Sequence, residues 1–167
     1  MESISTCSAT GGATPTSFCM PNDYIGFIRN PKLVALIDSS EFLIFADKVK
    51  KLNSVGWKQD RIFVITTEHI YNIKKDKVKR RIQIAMLAGI SKTMLGSKNE
   101  FTLHVMKEYD YRFLSDRRTE IIDTIKRRYV EKFEANLSIF GIDKEKLTEF
   151  TTLEKDFKRG ISRFPPS

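Results

Sequence analysis

The feature that most constrains this chain is a change of hydrophobic period at Ser115. From Phe42 to Phe113 apolar residues recur mostly at every second position, in short runs separated by turn residues. After Ser115 they recur at every third or fourth position. A period of two places alternate side chains on opposite faces of a strand, and a period near 3.6 gathers them on one stripe of a helix. Such a chain folds as many short strands followed by one amphipathic helix. The helix needs a surface to cover, and an open sheet with one apolar face supplies it.

The strands follow from the alternation and its breaks. Phe42-Leu-Ile-Phe-Ala46 continues into Lys48-Val-Lys-Lys51, and Asn53-Ser-Val-Gly56 turns the chain. Arg61 to Thr67 is β-branched and aromatic, Glu68 marks a tight turn, and His69 to Ile73 is a third strand. Lys75-Asp76-Lys77 turns into a fourth strand from Val78 to Ile84, and Ala88 to Lys92 is a fifth. Gly96 to Asn99 is a turn before Phe101, Leu103 and Val105, and Tyr109, Tyr111 and Phe113 mark the seventh strand. Ser115 is placed to cap the helix, with Asp116 favoured in its first turn. Ile121, Ile122, Ile125, Tyr129 and Phe133 form the helix stripe. Ahead of the strands, Asn30-Pro31 reads as cap and first residue of a short helix with Leu33, Leu36 and Ile37 on one face. The expected fold is therefore mainly β with α: a pleckstrin-homology-like barrel of seven antiparallel strands, capped by a C-terminal amphipathic helix, with flanking helical segments.

Three regions are expected. Residues 1–22 read as a disordered leader, because Ser, Thr, Gly and Pro fill 11 of the first 20 positions and bury too little to offset ordering entropy. Residues 23–134 form the barrel and its helix. Residues 135–167 form a partly helical extension, in which Ile139 to Ile142 is expected to dock back on the domain. No apolar run approaches the roughly 20 residues of a membrane span. The absence of Lys and Arg before Arg29 disfavours secretory and mitochondrial signals, and Glu2 excludes N-myristoylation. Two cysteines, Cys7 and Cys19, are too few to staple a fold, so a reducing, cytoplasmic setting is the default expectation.

The net charge is +8. Its location matters more than its size. Phe42 to Tyr129 holds 20 Lys+Arg against 10 Asp+Glu, so the surplus belongs to the folded part and not to the tails. The densest run, Lys74 to Arg81, has six cations and one acid. An acidic partner follows: anionic lipid, nucleic acid or an acidic protein face.

Several segments together resemble the tail-homology-1 domain of class I myosins. They are Lys77-Val-Lys-Arg-Arg-Ile82, Leu87-Ala-Gly-Ile-Ser91, Glu100-Phe-Thr-Leu-His-Val105, Glu108-Tyr-Asp-Tyr111, Phe45-Ala-Asp47 and Arg61-Ile-Phe-Val-Ile-Thr66. The likeness spans roughly Asp23 to Tyr129. With no nucleotide-cradling glycine loop, it is to the tail module alone, without a motor domain. It implies a pleckstrin-homology fold, peripheral binding of acidic phospholipids, often phosphoinositides, and in some members actin or another cytoskeletal protein. The family's lipid motif is a lysine on the first strand, then a basic-x-Arg triplet entering the second. Lys50 or Lys51 fits the lysine and Arg61 the arginine, whereas Gln59 stands at the triplet's basic position and Lys58 one residue early.

An inositol phosphate needs several cations converging on one pocket. The expected headgroup ligands are Lys48, Lys50, Lys51, Lys58 and Arg61 on the first hairpin, and Lys74, Lys75, Lys77, Lys79 and Arg80 on the next. Trp57, the only tryptophan, is the candidate for insertion at a membrane interface. The competing structural reading is of solvated hairpins whose lysines keep an edge strand soluble. The rival function is docking of a cytoskeletal partner, which the mixed-charge region Asp143 to Arg163 favours. Nucleic acid is disfavoured, because Phe101, Tyr109, Tyr111 and Phe113 fall at inward positions and not where bases stack. Catalysis is not expected: His69 and His104 lie on different strands, with His104 expected to face away from the core. No metal-ligand spacing occurs, and no cofactor is implied.

Overall fold

The computed structural model describes residues 20–95 and 99–166. Most of the expected leader, with Cys7 and Cys19, lies outside them, as does the turn at 96–98. The strands are β1 (Asn22–Asp23), β2 (Leu43–Leu52), β3 (Lys58–Thr66), β4 (His69–Lys74), β5 (Lys77–Gln83), β6 (Leu87–Thr93), β7 (Glu100–Val105), β8 (Tyr111–Leu114) and β9 (Ile139–Ile142). The helices are α1 (Pro31–Val34), α2 (Arg118–Phe133) and α3 (Glu154–Lys158).

Strands β2 to β8 are the seven antiparallel strands expected from the alternation. They form one sheet in the order β5-β4-β3-β2-β8-β7-β6. Strand β2 is the joint. It pairs with β3 along its length, while only Lys50, Lys51 and Leu52 also pair with β8. Two parallel additions lie outside the expected set: β1 beside β2, and β9 beside β6. Strand β3 starts at Lys58, so the first hairpin is tighter than a strand from Arg61 implies.

The bent sheet has two apolar faces. The inner one packs Phe45, Val49, Phe63, Ile65, Leu103 and Phe113 under Ile121, Ile122 and Ile125 of α2. Phe63 meets Phe113 edge-on, with ring centroids 5.1 Å apart. Burying such side chains is worth about 1.5–3 kcal/mol each. The outer face of β2, β3 and β4 carries Ala46, Val64, Tyr71 and Ile73, covered by Phe27, Leu33, Leu36 and Ile37. Asn30 starts α1 as expected, its Oδ1 accepting the Lys32 and Leu33 N–H groups at 3.1 and 3.4 Å. Helix α2 starts later than expected. Ser115 Oγ accepts the Arg117 N–H at 3.0 Å, so it caps the preceding turn and not the helix itself.

His104 does not face solvent. It is 1% exposed, and every residue of β7 is buried. Alternation marks a strand's outer face, but that face is covered here: His104 lies 5.2 Å from the Phe164 ring and 6.4 Å from Phe140. Its Nδ1 contacts Asp110 Oδ2 at 2.9 Å and its Nε2 contacts Ser91 Oγ at 2.5 Å. The order Ser–His–Asp is that of a hydrolytic triad, yet Ser91 is 1% exposed and so shut off from solvent. Asp110 also accepts the Thr152 N–H at 2.9 Å, so the chain of bonds ties the C-terminal segment to the barrel.

Candidate functional site

The site is built at the end of the sheet where the β2–β3 and β4–β5 hairpins turn. Alternation sorts their cations. Val49 and Phe63 point into the core, so Lys51 and Arg61 share that inner face, while Lys48 and Lys50 point outward. Asn72 and Arg80 pair across β4 and β5 and carry side-chain atoms buried from water.

Lys51, Arg61 and Arg80 come together. The Lys51 ammonium sits 5.0 Å from the Tyr111 ring centroid. Its pKa is pushed below the ordinary lysine value, first by burial, then by the neighbouring Arg61 and Arg80 charges, with Glu154 acting the other way. Arg61 is 8% exposed, and its Nη atoms reach Asp60 O and Gln59 Oε1 at 2.8 Å each. Gln59, which replaces the cation of the expected triplet, therefore orients the arginine. Arg80 is fastened by Glu108 Oε2 at 2.9 Å and Tyr109 O at 2.7 Å, and lies 3.7 Å from the Tyr111 ring centroid. Even so, Arg61 Nε and Arg80 Nη1 are buried with no hydrogen-bond partner among the described residues. Leaving such a donor unpaired costs about 1–3 kcal/mol or more.

The other expected ligands are spread around this cluster. Lys48, Arg61, Lys74 and Lys75 line a cleft of about 630 Å³ between the two hairpins, with Asp60 on its rim. Lys50 is paired with Asp60, whose carboxyl is held below the usual range first by that hydrogen bond. Lys58 shares a shallow hollow with Lys48 and Lys50 on the outer side. Lys77 and Lys79 stand exposed on β5. Trp57 is 72% exposed beside Val55, which is 76% exposed. Asn53 Oδ1 accepts the N–H groups of both, at 2.8 and 3.0 Å, and Gly56 supplies the positive φ of 88° that the turn requires.

Sequence reasoning missed the contribution of the C-terminal segment. Lys51, Ser54, Tyr109, Glu154, Lys155 and Lys158 border a second cavity of about 390 Å³. Its far wall comes from residues about a hundred positions away, so no local pattern signals it. Sequence reasoning also missed a buried cluster at the opposite end of β3. There Glu41 accepts from Tyr71 Oη at 3.1 Å, contacts His69 Nδ1 at 2.7 Å and reaches Arg81 at 3.4 Å. This cluster joins the chain before β2 to β4 and β5 and is structural.

Comparison with known proteins places this geometry. A family model described as "Unconventional myosin tail, actin- and lipid-binding" matches residues 21–152. Myosin heavy chain IB of Acanthamoeba castellanii is 30% identical over 119 residues, which cover 64% of this chain and 10% of that protein. The hSac2 domain of human phosphoinositide phosphatase Sac2 superposes with a TM-score of 0.52 at 14% identity, over 65% of this chain and 82% of that one. The pleckstrin-homology domain of human oxysterol binding protein-related protein 11 gives 0.46 at 17% identity, over 58% and 86%. The hSac2 likeness speaks to fold alone. The family match runs past the boundary at 134 expected from the sequence and takes in β9 and the start of the C-terminal segment. With most of its length matched, and with the strand order and closing helix of a pleckstrin-homology-like barrel, the chain belongs to the unconventional-myosin tail family, described as actin- and lipid-binding.

Proposed function

We propose that this domain binds multiply phosphorylated inositol lipids at the surface of an anionic membrane, with the Lys51–Arg61–Arg80 cluster as the headgroup site. The observation that carries this reading is two buried guanidinium N–H donors without a hydrogen-bond partner among the described residues, beside a half-buried ammonium. Such a cluster is under-compensated, and a phosphate ester offers both the charge and the acceptor oxygens it lacks. Lys48, Lys74 and Lys75 in the adjoining cleft add long-range attraction, about 1 kcal/mol for each cation near an anionic leaflet. Trp57 and Val55 at the hairpin tip are placed to enter the interface beside the headgroup. Among the described residues no helix is long and apolar enough to cross a membrane, so the proposed association is peripheral.

Liposome co-sedimentation tests the reading. Vesicles carrying phosphatidylinositol bisphosphate are compared with phosphatidylserine vesicles of equal charge, at low and physiological salt. The wild type is expected to prefer the phosphoinositide at both salts. Lys51→Ala/Arg61→Gln is expected to lose about tenfold or more, the worth of one or two charged hydrogen bonds. Binding that tracks only total charge and fades with salt would remove the headgroup site and leave diffuse adsorption.

Docking on actin or another cytoskeletal filament is the second reading. It is favoured by the family's description and by exposed Lys126 and Arg127 on the outer side of α2. Co-sedimentation with filaments after the hairpin cations are neutralised separates the two surfaces.

A further inference from the structure

The cavity beside Lys51 is lined by one of the protein's own acids. Glu154 opens α3, lines the same 390 Å³ cavity as Lys51, and bonds Lys158 one turn later at 2.7 Å. The segment is held there by bonds independent of that pair. Asp110 N–H donates to Thr152 O, and Thr152 N–H donates to Asp110 Oδ2, each at 2.9 Å. Thr152 Oγ1 is in turn bonded to the Arg163 backbone at 2.7 and 2.9 Å. The Glu154 carboxyl is thereby held on the wall of the cavity that Lys51 also lines. Its pKa is depressed, first by the Lys158 hydrogen bond and more weakly by the Lys51 and Arg80 charges.

Resting on the headgroup reading above, we propose that Glu154 is a tethered counter-anion of the ligand site. Its carboxylate, bonded to Lys158, offsets the Lys51 charge from across the shared cavity in the free protein, and the phosphate of an incoming phosphorylated polyol moves it aside. Two anions cannot share one half-buried ammonium without mutual repulsion, so part of the ligand's binding energy is spent in moving Glu154 aside. Lys155 and Lys158, on the same wall, are left facing the bound phosphate once Glu154 yields. The C-terminal segment thus sets the affinity and charge threshold of a site whose main ligands lie on the barrel. Weakly charged headgroups fail to displace the carboxylate, and multiply phosphorylated ones succeed.

The test uses the full chain and two probes, soluble inositol trisphosphate and vesicles bearing phosphatidylinositol bisphosphate. Glu154→Gln is expected to tighten binding of both roughly fivefold, the effect of one like charge removed near the ligand. Glu145→Gln is the control. It changes the net charge equally from an exposed position in the turn Lys144–Phe150, and is expected to shift affinity less than about twofold. Equal effects of the two substitutions, or no gain from Glu154→Gln, would overturn the counter-anion role. Failures of the two readings are separable. If the wild type binds neither probe, the headgroup reading falls and this inference with it. If Lys51→Ala/Arg61→Gln abolishes binding while Glu154→Gln behaves as Glu145→Gln does, only the counter-anion role falls. A gain confined to the soluble probe keeps the role and identifies the ligand as a free inositol phosphate and not a lipid.

Discussion

At the scale of single residues, Lys51 is the informative one. It lies on the inner face of β2, half out of water and beside two arginines. Only its protonated form attracts an anion, and its pKa is lowered, so the charge is lost at a pH below the ordinary lysine value. Anion affinity is therefore expected to fall with rising pH earlier than an ordinary lysine would make it, and Lys51→Arg, which stays charged throughout, is expected to flatten that limb. Titrating inositol trisphosphate affinity against pH for both proteins checks it; parallel profiles would show that Lys51 does not touch the ligand. Not every cation of the basic run is equally available. The run from Lys74 to Arg81 is legible as a charge density, but the sequence gives no sign that Arg80 is stacked on Tyr111 and fastened to Glu108, a residue 28 positions away. The split of Lys51 from Lys48 and Lys50 is legible, because it follows from strand alternation alone once Val49 is placed in the core.

At the scale of elements, the hairpin joining β2 and β3 carries two functions in one turn. Its strands hold the inner-face cations, and its tip holds Trp57 and Val55 out in solvent, stiffened by the Asn53 side chain. Exposed apolar residues beside cations suit a membrane interface and have no part in binding a soluble anion. Trp57→Ala is accordingly expected to weaken vesicle binding several-fold while leaving inositol trisphosphate affinity unchanged. Because Trp57 is the only tryptophan, its fluorescence should shift to the blue when phosphoinositide vesicles are added. A loss of both affinities together would make Trp57 a structural residue of the turn. The seven barrel strands and the closing helix were readable because each is encoded by its own local period. β7 shows where that legibility stops. His104 occupies an outward position by alternation, and rings more than thirty residues downstream, Phe140 and Phe164, pack against it.

At the scale of the whole molecule, the apolar sheet has three covers: α2 over the inner core, the N-terminal turns over β2–β4, and the C-terminal segment over β6 and β7. The sequence placed a boundary at 134 because the extension lacks apolar periodicity. The docking expected of Ile139 to Ile142 takes the form of backbone pairing of β9 with β6, and the Asp110–Thr152 bonds and a few aromatic contacts add to it, none of which needs a periodic stripe. Gly89 is a point of close approach: a Cβ there would lie 2.9 Å from Phe140 Cε2 and 3.1 Å from Ser138 O. Gly89→Ala therefore drives the extension off β6 or strains it in place, at a cost of about 1–3 kcal/mol. The urea midpoint is expected to fall, and residues 139–166 to become more sensitive to protease than the barrel. Because these residues carry Glu154 to Lys51, detaching them is also expected to tighten inositol trisphosphate binding in the direction of Glu154→Gln. A destabilised Gly89→Ala protein with its C-terminal segment still protected would mean that the aromatic contacts, not the strand pairing, hold the extension. The same substitution with weakened ligand binding would mean that Lys155 and Lys158 contribute more to the site than Glu154 withholds.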